Sequence, residues 1–397
     1  MKIKYTTGYA GTGKSTTLLE LIDSLPIETS VILAPTHKAL ARLMNSTSSL
    51  IEFKTIHSLL GWIPGINEDA NHIAHIDIVR KLDKEIDAYT DIVIDEAGMM
   101  SEDMLLTIVA NLEEISNFET DHITLHLFLD PYQLLPVKGI QIQTDPETTT
   151  NLTTQHRAES PDVVTLFTKF VRYLEGTNVD DLTVPESTNV IYQNCIKGFK
   201  KGDRLLAYTN KAVGNYNQAI ATHLGIKSYV GQEVQLGNMI EPIIVEEYIK
   251  PNLSMLKQAY EEGSLKLQNS QINKQFLDHS LNALISNKHI KFIKDKGSFA
   301  IIPVIEGVGN AYEARNKAKE MAIKDKSHFK DVYALGRAFT MDYTFASTVH
   351  KSQGSEFSRV WIDKGDIQRS IFQGSYKNYA RLMYVAISRA KNIVYVL

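Results

Sequence analysis

The residues Gly8-Tyr9-Ala10-Gly11-Thr12-Gly13-Lys14-Ser15 place four variable positions between a glycine and a Gly-Lys-Ser run. This is the pattern of a loop that wraps a phosphate with its backbone N–H groups. Glycine suits such a loop because a side chain would block the approach of the phosphate. A helix starting at the lysine would add the favourable dipole of its N-terminus. Lys14 is then expected to reach the β- and γ-phosphates and the Ser15 hydroxyl to hold Mg²⁺. Gly11, Thr12, Gly13 and Thr16 complete the expected cradle, with ATP and Mg²⁺ as cofactors. The bland alternative is a Gly-rich turn followed by a surface lysine. An apolar run before the loop and a helical pattern after it favour the phosphate-binding reading.

A second pair of groups has a matching chemistry. Val93-Ile94-Asp95-Glu96 is an apolar run that ends in two carboxylates. One acidic residue at a strand end is often a helix cap. Two, in the strand expected beside the one that carries the phosphate loop, can divide the work. Asp95 would bind the metal and Glu96 would activate the attacking water. Gln133 follows another apolar run and is a candidate for sensing the γ-phosphate or orienting that water. Arg157 and Arg389 are candidate arginine fingers, although a single arginine is more often a solvated surface group.

These clusters need elements to position them. Short β-branched runs occur at Ile3–Thr7, Val31–Ala34, Asp91–Asp95, Leu125–Asp130, Leu205–Thr209, Val360–Asp363 and Ile393–Val396. They are continuous rather than alternating, which predicts strands buried on both faces of parallel sheets. Helical patterns lie between them, as in Leu18, Leu21, Ile22 and Leu25, so the class is α/β. GYAGTGKS, PTHK, DEAG, DPYQ and TNK follow five of these runs in turn. Ligands of open α/β sheets bind beyond the carboxyl ends of strands, so the five clusters predict one site. The Thr-rich stretch 143–154 reads as a surface loop or connection. Helices are predicted over 253–262 and 310–324.

Composition narrows the class further. The 397 residues are 43% apolar and 22% charged, which excludes a disordered chain. The single cysteine, Cys195, excludes intrachain disulfides and thiolate metal clusters. No run is apolar enough to span a bilayer and no secretory signal is visible, so a soluble cytoplasmic protein is expected. The net charge of −4 divides unevenly: residues 1–195 hold 13 basic and 28 acidic side chains, and residues 196–397 hold 29 and 18. A basic half permits a local polyanion-binding surface.

With GYAGTGKS, APTHKAL, TIHSLL, DEAGM, LDPYQLLPV, LTTQHR, LAYTN, STVHKSQGSE and YVAISRAK in this order, the chain resembles the superfamily 1 helicases. It is most similar to the RecD-like and bacteriophage Dda-type branch. The resemblance implies two RecA-like P-loop NTPase cores, with parallel sheets flanked by helices and two inserted subdomains. The implied first core is 1–195, with a short insertion at about 55–90. The second is 196–235 plus 341–397, and 236–340 is an accessory insertion; a small barrel-like module is implied within 228–340. A strand-separating pin is implied around 62–75. Lys14, Glu96, Gln133, Arg157 and Arg389 become the catalytic set, with Arg389 coming from the second core. The implied DNA track is Pro35, Thr36, His37, Thr55, His57, Asn210, Thr348, His350 and Lys351. Such hydroxyl, imidazole and ammonium donors suit phosphate oxygens and carry no sequence information. For any one of the threonines and histidines, the bland reading is loop capping. The expected activity is ATP-dependent movement along single-stranded DNA and unwinding at single-/double-strand junctions, 5′ to 3′. A small-molecule P-loop kinase and a non-hydrolysing nucleic-acid clamp are the competing classes.

Overall fold

The computed structural model describes residues 1–35, 37–59, 89–115, 120–136, 139–156, 160–177, 182–237, 242–268, 276–373 and 375–397. The implied pin at 62–75 lies outside them. The chain forms two units. The first comprises 1–190, 353–356 and 373–393; the second comprises 191–352, 357–372 and 394–397. The first unit's opening segment ends at 190, where the resemblance implies 195. Two late segments, however, return to that unit rather than staying with the second.

In the first unit the elements run β1 (Lys2–Gly8), α1 (Lys14–Ser24), β2 (Ser30–Ala34), α2 (His37–Met44), β3 (Glu52–Thr55) and α3 (Ile56–Leu59). They continue as β4 (Asp91–Ile94), α4 (Glu102–Ile115), β5 (Thr124–Leu129), β6 (Thr149–Leu152) and α5 (Pro161–Leu174). The six strands form one sheet in the order β3-β2-β4-β5-β1-β6, and every pairing in it is parallel. Alternate residues of one strand enter opposite cores. Val31 and Leu33 pack with Ile92, Ile94, Leu125 and Leu127 on one face. Ile32 and Val93 pack with Leu18, Ile22 and Leu43 on the other. Burial on both faces is why the runs read as continuously apolar. Truncating one such residue, as in Ile92→Ala, should cost about 2–5 kcal/mol.

Two expectations are corrected here. The strand ending in Asp95 is not beside the phosphate-loop strand, because β5 pairs with both and lies between them. All these strands run the same way, so their carboxyl ends still share one edge. The Thr-rich stretch is not all loop. Thr149–Leu152 adds β6 in register with Tyr5–Gly8, as β-branched threonine allows once a paired edge is available.

The second unit starts with β7 (Val190–Tyr192), β8 (Arg204–Ala207) and α6 (Asn210–His223). Next come β9 (Glu233–Leu236), β10 (Ile243–Ile249), α7 (Leu253–Glu261), α8 (Leu277–Ser286), β11 (Lys291–Asp295) and β12 (Ile301–Glu306). Then follow α9 (Val308–Lys324), α10 (Phe329–Arg337), β13 (Phe339–Tyr343), β14 (Ala346–Thr348), β15 (Phe357–Ile362), α11 (Lys364–Gln368) and α12 (Ser370–Gln373). The chain closes with α13 (Tyr376–Ile387), which belongs to the first unit, and β16 (Ala390–Val396). A five-stranded sheet has the order β14-β8-β15-β16-β7, and β10-β11-β12-β13-β9 closes into a barrel. The barrel, filled by Val234, Leu236, Val245, Ile293, Ile302, Val304 and Met341, lies where a module is implied within 228–340, except that its last strand, β13, runs on to Tyr343. The helices expected there are α7 and α9.

Helix α13 ties the segment 373–393 into the first unit. Ser375 caps it by accepting from the Asn378 N–H, and Tyr379, Ala380 and Leu382–Ile387 are all buried. It packs on α5, where Phe170 meets Tyr379 and Phe167 meets Tyr384 edge-on. Ser160 and Pro161 start α5 in the favoured N-cap and first-turn positions.

Candidate functional site

One pocket of the first unit is lined by Ala10, Gly11, Gly13–Thr16, Arg42, Asp95, Glu96, Phe128–Asp130, Gln133, His156 and Arg389. It lies where β1, β4 and β5 end. The loop after β1 turns tightly because two glycines meet conditions that no other residue satisfies. A Cβ on Gly8 would lie 2.3 Å from Thr12 Oγ1 and 2.7 Å from the Leu152 carbonyl, and Gly13 has φ +89°. The Thr17 N–H donates to the Gly13 carbonyl at 2.9 Å, so the helix begins at the residue the motif requires.

Lys14 Nζ donates to the carbonyls of Gly8 and of Tyr9, the latter at 2.9 Å. It lies 3.8 Å from the Asp130 carboxylate. Ser15 Oγ accepts from Arg42 Nη2 at 2.8 Å. Burial, and then the charge of Glu96 beside it, push the Asp95 carboxyl up to about 7, while the positive charges of Arg42 and Lys14 oppose the rise. A carboxylate and a hydroxyl are hard oxygen donors of the kind Mg²⁺ takes along with phosphate oxygens and water. Among the described residues no cluster of three His, Cys, Asp or Glu could hold a metal without such help.

Glu96 adopts φ 51°, ψ 33°, a left-handed conformation that is costly for a residue other than glycine. That turn aims its carboxylate at Gln133, whose Nε2 donates to Glu96 Oε2 at 2.8 Å. Gln133 Oε1 is buried and has no hydrogen-bond partner among the described residues. Burying an acceptor unpaired is unfavourable, so this atom suits a water or ligand held against Glu96. Arg389 is buried at the same pocket. Its guanidinium donates to the carbonyls of Val385 and Ser355 and to Ser388 Oγ.

Three further residues organise the pocket and were not singled out from sequence. Tyr384 O–H accepts from the Ala10 N–H at 2.6 Å and donates to Asp130 Oδ2 at 2.6 Å. Burial and the neighbouring Asp130 push the Tyr384 phenol well above its ordinary range, so it remains a donor. Asp130 also accepts from the Tyr132 N–H. Arg381 donates to the carbonyls of Pro131 and Gln133 at 2.7 and 2.6 Å and to Gln141 Oε1 at 3.1 Å, fixing the turn that carries Gln133. The spacing of Arg381, Tyr384, Ser388 and Val385, Arg389 puts them on one side of α13 and its continuation. That face was the available sequence signal.

The residues of the implied DNA track fall on both units. In the first, Pro35 follows β2 and Thr55 ends the neighbouring β3. Thr55 Oγ1 accepts from the Ser58 N–H and so caps α3, as the bland reading had it. Thr36, Arg157 and the side chains of His37 and His57 lie outside the described residues. In the second unit, Asn210 opens α6, and Thr348 ends β14 beside the end of β8. Thr348 Oγ1 accepts from the Lys351 N–H, and the His350 ring meets that of Tyr208 at 6.1 Å. Asp366 accepts from the N–H groups of Tyr208 and Thr209 at 2.8 and 2.7 Å and from the Thr209 hydroxyl. Asn210, Thr348, His350 and Lys351 thus share one edge of the second unit. No helix among the described residues is long and apolar enough to cross a membrane.

An AAA-domain model matches residues 1–170, and a UvrD-like helicase C-terminal domain model matches residues 343–397. The solved Pif1 helicase of Candida albicans is similar in fold, with a TM-score of 0.52 and 15% identity, over 100% of this chain and 90% of that one. Bacteroides Pif1 bound to single-stranded DNA has a TM-score of 0.50 and 17% identity, covering 99% and 88% of the two chains. An uncharacterized protein of Methanocaldococcus jannaschii is 23% identical across 98% of this chain, which spans 36% of that relative's length. An AAA domain over one end and a UvrD-like helicase C-terminal domain over the other thus frame a chain whose fold is similar to that of the Pif1 helicases.

Proposed function

We propose that the protein is an ATP-dependent DNA helicase that hydrolyses ATP with Mg²⁺ to move 5′ to 3′ along single-stranded DNA and to open duplexes at junctions. The observation that carries this reading is the convergence in one pocket of the glycine cradle, Asp95, Glu96, Gln133 and Arg389. Lys14 and Ser15 hold the phosphates and the cation, and Asp95 is the second protein ligand. Bound Mg²⁺ neutralises charge on the transferred phosphoryl group. Glu96 takes the proton of the attacking water, which Gln133 orients through its unpartnered oxygen. Arg389, and Arg157 with it, stabilise charge developing on the phosphate. A carboxylate held against an orienting glutamine serves water as nucleophile, which favours hydrolysis over transfer to a small acceptor.

The second unit contributes Asn210, Thr348, His350 and Lys351 as backbone-phosphate contacts, and the first contributes Pro35, Thr36, His37, Thr55 and His57. Hydrolysis alternates the affinity of the two sets, and that alternation drives stepping. Strand displacement on 5′-tailed, 3′-tailed and RNA-tailed duplexes, with and without ATP, tests the proposal. Displacement of the 5′-tailed DNA alone is expected, with DNA-stimulated ATPase. Lys14→Ala should abolish both, and robust turnover in that variant would refute the assignment of the pocket.

A further inference from the structure

The geometry points to Arg42 as a residue that reads the terminal phosphate of the bound nucleotide, an inference that rests on the nucleotide-site reading. Arg42 is carried by α2, whose motif was assigned to the DNA track, yet its guanidinium lines the nucleotide pocket. Its two arms are held differently. Nη1 donates at 3.0 Å to the carbonyl of Gly354, in the short segment 353–356 that returns to the first unit. Nη2 donates at 2.8 Å to Ser15 Oγ.

The first contact is a tether and the second is exchangeable. The Gly354 carbonyl is a backbone group outside the phosphate loop. Ser15 Oγ is the hydroxyl that a loaded site would turn to the cation. A cation there repels the positively charged guanidinium and weakens the Nη2 bond, while Nη1 stays tethered to the Gly354 carbonyl. A donor left there without an acceptor is costly. Lys14 and Ser15 place the β- and γ-phosphates beside it, so a terminal-phosphate oxygen is the acceptor a triphosphate brings and a diphosphate lacks. Arginine suits the role because its planar fork can serve two acceptors at once, which a lysine ammonium on a flexible stem does with less definition.

The test is equilibrium binding, without turnover. Fluorescent ADP and a fluorescent non-hydrolysable ATP analogue, both with Mg²⁺, are titrated into the full chain as wild type, Arg42→Ala, Arg42→Lys and Lys14→Ala. Arg42→Ala should weaken the triphosphate analogue roughly 10–100-fold, the range for a hydrogen bond to a charged group. ADP should change by less than about threefold on the same reasoning. Arg42→Lys, which keeps the charge and most of the stem, should fall between wild type and alanine for the triphosphate only. It decides the matter if the alanine variant fails to fold. Equal losses for both nucleotides, or no loss for either, would overturn the role of Arg42 while leaving the nucleotide site intact. Wild type that binds neither nucleotide, or Lys14→Ala that binds both as wild type does, would instead overturn the nucleotide-site reading.

Discussion

Replacing Tyr384 by phenylalanine removes one oxygen atom from the centre of the first unit. The ring is fully buried, and its edge-on contacts with Phe167 and Tyr132, both at 6.2 Å, should persist, so no sizeable cavity forms. Two hydrogen bonds of 2.6 Å disappear, one from the Ala10 N–H and one to the Asp130 carboxylate. A hydrogen bond to a charged group contributes about 1.5–3 kcal/mol, and an orphaned buried donor costs about 1–3 kcal/mol. The two losses share neighbours and do not add fully. Asp130 also keeps the Tyr132 N–H and Lys14. A net destabilisation of about 2–4 kcal/mol is therefore expected. For a unit of this size that lowers the melting temperature by roughly 5–15 °C. The Ala10 amide belongs to the phosphate loop, so nucleotide affinity should fall as well. Urea titration with and without ADP measures both effects. A stability change below about 0.5 kcal/mol, the scatter of ordinary surface substitutions, together with unchanged ADP affinity, would refute the idea that this hydroxyl ties α13 to the phosphate loop.

Other outcomes are expected from the same reasoning. Arg381→Ala frees the turn that carries Gln133 and should lower kcat for ATP hydrolysis by about tenfold or more, with a smaller change in KM, since a mispositioned group costs orders of magnitude in rate. Steady-state ATPase measurements decide it. Asp366→Ala removes the acceptor that holds Tyr208 and Thr209 and should weaken single-stranded DNA binding while nucleotide affinity stays as in wild type. Fluorescence anisotropy of a labelled oligonucleotide reads the first, and nucleotide titration the second. His126 is held below the ordinary imidazole range by burial, against the opposing pull of Asp91 at 3.0 Å. The unfolded chain therefore binds more protons just below the ordinary histidine value, and stability should fall as pH drops from about 6.5 toward the lowered folded value. His126→Gln should flatten that part of the stability profile. An unchanged slope would show that other groups set it.

What could be read from the chain, and what could not, divides by distance along it. The phosphate loop and the strand ending in Asp95 and Glu96 are signalled by neighbouring residues, and the structure has them; the barrel is implied by the resemblance alone. The order of strands is set by partners far apart in sequence, so the position of β5 between β1 and β4 was not visible locally. Thr149–Leu152 pairs only because β1 offers an edge, and its own composition reads as loop. Tyr384 and Arg381 act on residues 374 and about 250 positions away, so their shared helix face is visible locally but their partners are not. Arg42 looks like an ordinary helix residue until the fold brings Gly354 beside it.

The return of residues 373–393 to the first unit also constrains how the protein is made. A ribosome adding about 5–20 residues per second completes β1 to α5 well before it reaches α13, with the whole second unit still to come. For that interval of roughly ten seconds or more, α5 offers Phe167 and Phe170 with their later partners absent, and Asp130 lacks the phenol that seals it. The nucleotide pocket is thus finished only after residues 191–372 have been made, although its phosphate loop precedes them.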